Sequence, residues 1–279
     1  MLLRLLTVRR KFDEGDVFTM YFFGDQHRHH KNAAKGEMVR DRDEIAGDPH
    51  GICFLMGDSH ECISKKDPRY DELQVDWSLI DPEDFRYLSD AIVADRTEFF
   101  SPLASQLEVD LGGNHDGRYA KYAETDIRLR SLERMGKAGA WIPGQSSALV
   151  RVIFTDKHRH ACTLFLNLHH GTRTAKHKAT LLNAYADKLC THWDGVDFLA
   201  RGHCHHRGLE DRLKMSANAN HSRLGDKRVA AVLTGGYLKS YREDGESYAE
   251  DMDLDPLDIG MTRIRVYPTR SGASWESIL

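Results

Sequence analysis

The sequence predicts an α/β fold whose sheet is mixed, part parallel and part antiparallel. Three observations predict it. Short apolar runs alternate with stretches of helical periodicity, the pattern of strand–helix units. The later apolar runs are separated by fewer helical stretches, which calls for antiparallel strands. Five of the runs stop directly in Asp, Asn or His, and in α/β sheets the crevice beyond the carboxyl ends of strands is where sites form.

The strand segments are Leu2–Val8, Val17–Phe23, Ile52–Met56, Leu107–Leu111, Ala148–Phe154, Ala161–Leu168, Val196–Ala200, Val229–Leu233 and Thr262–Tyr267. Lys31–Ala46 is charged and contains alanine, as a surface helix does. Pro82–Gln106 spaces Phe85, Leu88, Ile92 and Phe99 for a second helix, with Asp81 as N-cap and Pro82 at its first position. Tyr119–Met135 reads as one helix closed by Gly136, and Ala175–Trp193 as another. Gly235-Gly236-Tyr237-Leu238 reads as a turn after a strand, with packing close to the site as the alternative. Glu243–Pro256 is acidic and reads as a solvated loop. The 279 residues suffice for one domain over 1–279, with an inserted loop and helix at about 61–106 and C-terminal strands at about 229–270.

Composition excludes several classes. Hydrophobic residues make up 41% and charged residues 29%, an ordinary globular balance. The net charge of −4 is not the footprint of a protein that coats nucleic acid. The five cysteines form no C-x-x-C pair, so reduced thiols in a cytoplasmic protein are expected. No run approaches the roughly 20 apolar residues of a membrane span, so no membrane is expected as a partner. The opening MLLRLLTVRRKF is interrupted by Arg4, lacks a cleavage site and reads as a strand rather than a leader.

The 16 histidines are the unusual number, and they gather at strand ends. After Phe22-Phe23-Gly24 come Asp25 and His27, which extended chain would project to one side. After Phe54-Leu55-Met56-Gly57 comes Asp58, whose two oxygens could bridge two cations. Gly112-Gly113 precede Asn114, His115 and Asp116: a neutral amide oxygen for a metal, then an imidazole for a substrate. His169 and His170 end a strongly apolar run, and only one of these neighbours can face a site. His203 and His205 follow Arg201-Gly202 and share a side. Any one motif alone is a turn, a cap or a core histidine. Together they supply nitrogen and oxygen for two metals, and ligation without thiolate suits Mn, Fe, Zn, Ni or Co.

In this order, Asp25-x-His27, Gly57-Asp58, Gly113-Asn114-His115-Asp116, His169-His170 and Gly202-His203-x-His205 resemble the calcineurin-like metallophosphoesterase superfamily. The resemblance spans residues 25–205. It implies a four-layer α/β/β/α sandwich with mixed sheets and two divalent ions, manganese first among the candidates. It implies that Asp25, His27 and His205 hold the first ion and that Asp58 bridges. Asn114, His203 and one of His169 and His170 would hold the second. His170 is preferred because it stands directly before Gly171. His115 would contact the phosphoryl group or protonate the leaving oxygen, with Asp116 orienting it. A water between the ions would be the nucleophile.

The chain also departs from the pattern. The family's second motif commonly carries an acidic residue or asparagine some three positions on; here the run is Gly57-Asp58-Ser59-His60-Glu61. No Asp-Arg-Gly follows Asp58 and no Glu follows Asn114-His115, which sets the chain apart from protein Ser/Thr phosphatases. The Asn-His-Asp form is closer to the phosphodiesterase and Mre11/SbcD-like nuclease branches. The expected activity is hydrolysis of a phosphoester, most simply a diester, with a nucleotide or nucleic acid among the possible substrates. The competing readings are a nuclease on DNA or RNA, a phosphomonoesterase and a metal-binding scaffold without turnover. Arg173 is expected to hold substrate phosphate. The run His27-Arg28-His29-His30-Lys31 is either a phosphate-facing rim or a solvated loop, and Lys65, Lys66 and Arg69 read as surface charge.

Overall fold

The computed structural model describes residues 5–61, 70–76, 78, 87–143, 146–172, 177–217, 224–240 and 257–278. Arg173, Lys65, Lys66, Arg69, Asp81, Pro82, Phe85 and the segment Glu243–Pro256 lie outside them. The fold is mixed α/β with a large mixed sheet.

The first half of the sheet holds β2 (Phe18–Phe23), β3 (Gly51–Leu55) and β4 (Leu107–Asp110) in parallel. Antiparallel β10 (Gly260–Thr269) and β11 (Gly272–Ile278) extend it beside β2. The second half runs β1 (Leu5–Lys11), β5 (Ser147–Thr155), β6 (Ala161–His169), β7 (Phe198–Arg201) and β9 (Leu224–Gly236). There β6, β7 and β9 are parallel, β5 is antiparallel to β6, and β8 (Arg207–Ala217) pairs antiparallel with β9. Two residue pairs, Gly260↔Gly236 and Met261↔Gly235, join the halves.

Alternating side chains sort the apolar residues into separate cores. One cluster draws Met20, Phe22 and Phe54 from the first half and Val150, Leu166 and Phe198 from the second. On the other face of the first half, Tyr21, Phe23 and Leu55 pack on helices α1 (Lys35–Gly47) and α2 (Leu88–Phe100). On the other face of the second half, Leu199 and Ala231 pack on α5 (Lys178–His192). Each large apolar side chain so buried contributes roughly 1.5–3 kcal/mol.

Several elements differ from their expected bounds. The described part of the second helix begins at Leu88 and ends at Phe100. Pro102 cannot continue an α-helical ladder, and Ser101–Leu103 forms a 3-10 turn instead. The helix expected over Tyr119–Met135 is two, α3 (Asn114–Ala123) and α4 (Ile127–Arg134). Glu124 sits at φ 54°, which stops the first. The Asp126 side chain accepts from the N–H groups of Arg128 and Leu129 and starts the second. The charged strand β8 and the short β11 carry no apolar run and escaped the sequence reading. No described helix is long and apolar enough to cross a membrane.

Candidate metal centre

The five motif loops meet at one edge of the sheet. The loops after β2 and β3 run side by side, with Asp25 N donating to Gly57 O (2.9 Å) and His27 N to Asp58 O (3.0 Å). The chain there is not extended. Asp25, His27, Asp58, His203 and His205 have φ between 45° and 67°, a left-handed conformation that costs a non-glycine residue about 1–2 kcal/mol. The side chains in the D-x-H and H-x-H motifs therefore converge through left-handed backbone, not through the alternation of a strand. Such strain persists where the surroundings over-determine it, and it gathers at functional sites.

The surroundings are specific. Asp25 Oδ2 accepts from His203 N (2.9 Å), and Tyr237 N donates to Asp25 O (3.0 Å). The segment Gly235–Leu238, expected as a turn, instead continues β9 through Gly236 and bridges Ala33 at Leu238, and it packs directly behind the first loop. Asp58 Oδ1 accepts from His115 N (2.9 Å). Gly113 makes this contact possible, because a Cβ there would land on Asp58 Oδ1. Gly57, at φ +96°, lies where a Cβ would come within 2.7 Å of His170 Nδ1.

Two groups of donors result: Asp25, His27 and His205, and Asp58, His170 and His203. Within each, the ligand atoms lie within 4.8 Å of one another. Asp58 Oδ2 is 3.1 Å from His170 Nε2 and 4.0 Å from His27 Nε2, so one carboxylate oxygen stands between the groups. Asn114 Oδ1 is 3.1 Å from His170 Nε2 and joins the second group. Of the neighbours His169 and His170, the latter faces the site. His169 Nδ1 instead accepts from Gly171 N.

The donor set fits divalent cations. Asp25 Oδ1 and His27 Nε2 are buried with no hydrogen-bond partner, a costly state for polar atoms that a metal would relieve. Their outer atoms are braced as metal ligands require. His170 Nδ1 lies 3.0 Å from Met56 O and His27 Nδ1 lies 2.8 Å from Glu61 Oε2, which leaves each Nε2 turned inward.

Electrostatics follow from burial and crowding. Burial, with the Asp58 charge nearby, raises Asp25 to about 6 against the pull of His170. Burial also works to raise Asp58, but the charge and hydrogen bond of His170 outweigh it and hold Asp58 well below the usual carboxylate range. Burial would lower His170 and His115. Asp58 overrides it at His170, which rises to about 10, and Glu61 with Asp58 overrides it at His115, which rises to about 9.

Two expected roles change. Asp116 does not hold the His115 ring: its Oδ2 accepts from Gly113 N (2.8 Å) and Asp58 N (3.1 Å), bracing the loop at Asp58 and the start of α3. His115 is held by Glu61, with Nδ1 2.9 Å from its carbonyl and 3.4 Å from Oε1. Sequence reasoning passed over Glu61, although it occupies the third place after Asp58. Of the run His27–Lys31, Arg28 and His29 belong neither to a phosphate-facing rim nor to a solvated loop, whereas Lys31 is exposed. Arg28 and His29 are buried against Asp95 of α2, together with His60. Beneath the third motif, Arg96 pairs with buried Asp110, and Arg128 donates to the Asp110 carbonyl.

The chain matches no family model and no curated protein sequence. Among solved structures it is similar to that of GAP50, described as the anchor in the inner membrane complex of Plasmodium. The TM-score is 0.50 at 12% identity, over 94% of this chain and 84% of that one. At this identity the likeness is one of fold alone.

Proposed function

We propose that this protein is a calcineurin-like metallophosphoesterase that hydrolyses a phosphoester, most simply a phosphodiester, at a centre of two divalent ions. The observation that carries the reading is the convergence of Asp25, His27 and His205 with Asp58, Asn114, His170 and His203 around one shared carboxylate oxygen. The packing of α1 and α2 outside one half of the sheet, and α5 outside the other, supports the four-layer sandwich this family would have.

Two ions held there would supply Lewis-acid stabilisation and an acidified water; manganese is the first candidate, with zinc, iron, nickel or cobalt also suited to the donors. Asp25, His27 and His205 would hold the first, and Asn114, His170 and His203 the second. Asp58 would serve both. His115 stands beside Asp58, with its backbone N donating to Asp58 Oδ1 and its Nδ1 held at the Glu61 carbonyl, and its imidazole would meet a phosphoryl or leaving oxygen. Glu61 and Asp58 raise its pKa against burial, which favours the protonated form a general acid requires.

A metal-binding scaffold is the reading from another class, and a phosphomonoesterase or nuclease the alternatives within the same chemistry. Hydrolysis of bis-(p-nitrophenyl) phosphate and p-nitrophenyl phosphate, with Mn²⁺ and after chelation, separates them. The expected result is metal-dependent diester cleavage that Asp58→Asn abolishes. Preference for the monoester would replace the diester reading. Bound metal without turnover on either substrate would favour the scaffold.

A further inference from the structure

A third cluster of ligand-type side chains lies outside the pair. His29, on the loop after β2, His60, on the loop after β3, and Asp95 of α2 bring three donor atoms within 4.8 Å of one another. Their spacing is informative. His29 Nε2 and His60 Nε2 each lie 3.2 Å from the same atom, Asp95 Oδ2. The His60 contact is a hydrogen bond, at the long end of the range of about 2.7–3.2 Å for such bonds. Tetrahedral zinc, with bonds of about 2.0–2.1 Å, sets its ligands about 3.3–3.4 Å apart.

Orientation points the same way. His29 is 2% exposed, yet neither of its ring nitrogens has a hydrogen-bond partner. Its Nε2 is close to Asp95 but is not aligned to donate to it. The backbone at His29 is held at φ 73°, a strained conformation that turns this ring inward. Arg28 grips the same carboxylate, with Nη2 2.6 Å from Oδ1 and Nε 3.0 Å from Oδ2. That contact orients Asp95 as an outer partner orients a metal ligand. It also neutralises the carboxylate, so an ion that depends on carboxylate charge, such as Mg²⁺ or Ca²⁺, gains little here. Two imidazoles and one carboxylate suit zinc.

We infer that His29, His60 and Asp95 form a separate site for one zinc-class divalent cation, tying the loops after β2 and β3 to α2. The site needs neither ion of the pair, and its test reads it independently. Crystals of the full chain loaded with Zn²⁺ and recorded at the zinc absorption edge should show an anomalous peak within bonding distance of all three residues. No peak there, whether or not the pair is filled, overturns the inference. In native mass spectrometry after zinc loading, Asp95→Ala should carry one ion fewer than the wild type, whereas Asp58→Asn should keep this ion. Equal zinc counts in the wild type and Asp95→Ala also overturn it. Should Asp95→Ala not fold, the anomalous map of the wild type decides.

Discussion

Glu61 grips both histidines that flank it. Its Oε2 is 2.8 Å from His27 Nδ1, while its carbonyl oxygen is 2.9 Å from His115 Nδ1. One residue thus orients a metal-type ligand and the acid that would face substrate. The hydrogen bond and charge of Glu61 raise His115 against burial, to about 9. A general acid works below its pKa and fails above it. Glu61→Gln is therefore expected to move the alkaline limb of the pH–rate profile to lower pH, and to cut kcat more than it raises KM. His115→Ala should cost roughly 10²–10⁴ in turnover while the metals stay bound. A Glu61→Gln profile unchanged in position would remove Glu61 from this role.

Asp116 holds two buried N–H groups, those of Gly113 and Asp58. Asp116→Ala leaves both without an acceptor and should destabilise the fold by about 1–3 kcal/mol, read as a lower midpoint in urea. Metal affinity should fall with it, because Asp58 loses its brace. A stability equal to wild type would show that the contact contributes nothing.

Gly113→Ala tests the close approach at Asp58. The added methyl meets a carboxylate and backbone rather than a flexible side-chain end, so the loop must shift. The expected outcome is a folded chain with weakened metal binding and turnover down at least as far as in His115→Ala. Calorimetric titration with Mn²⁺ giving wild-type affinity would refute it.

Asp25 and His170 should each contribute less stability to the metal-free chain as pH rises, and metal should offset that share. Asp25 is raised to about 6 and His170 to about 10. Each binds its proton more tightly when folded than when unfolded. Their contributions are full below the ordinary values, about 4 for Asp and 6.5 for His. Asp25's share is lost as pH passes 6, and His170's as it approaches 10. Metals must displace these protons. The rise in Tm on adding Mn²⁺ should therefore grow between pH 5 and pH 9. A rise independent of pH would exclude both groups as ligands.

By itself the sequence determined the α/β alternation and the set of ligand-type residues in the motifs. Both are local signals: apolar runs of strand length, and polar donors directly after them. It also narrowed His169 and His170 to one, since strand neighbours face opposite ways. The tertiary structure decided the rest. The left-handed backbone at Asp25, His27, Asp58, His203 and His205 is imposed by contacts between loops far apart in the chain, so these side chains converge for a reason other than the strand alternation their spacing suggested. Glu61, rather than the expected Asp116, contacts the His115 imidazole because the loop after β3 brings it there, which no local pattern announces. Asp95 lies within a helix that reads as ordinary amphipathic sequence. Its meeting with His29 and His60 exists only because the packing of α2 brings it to the loops after β2 and β3.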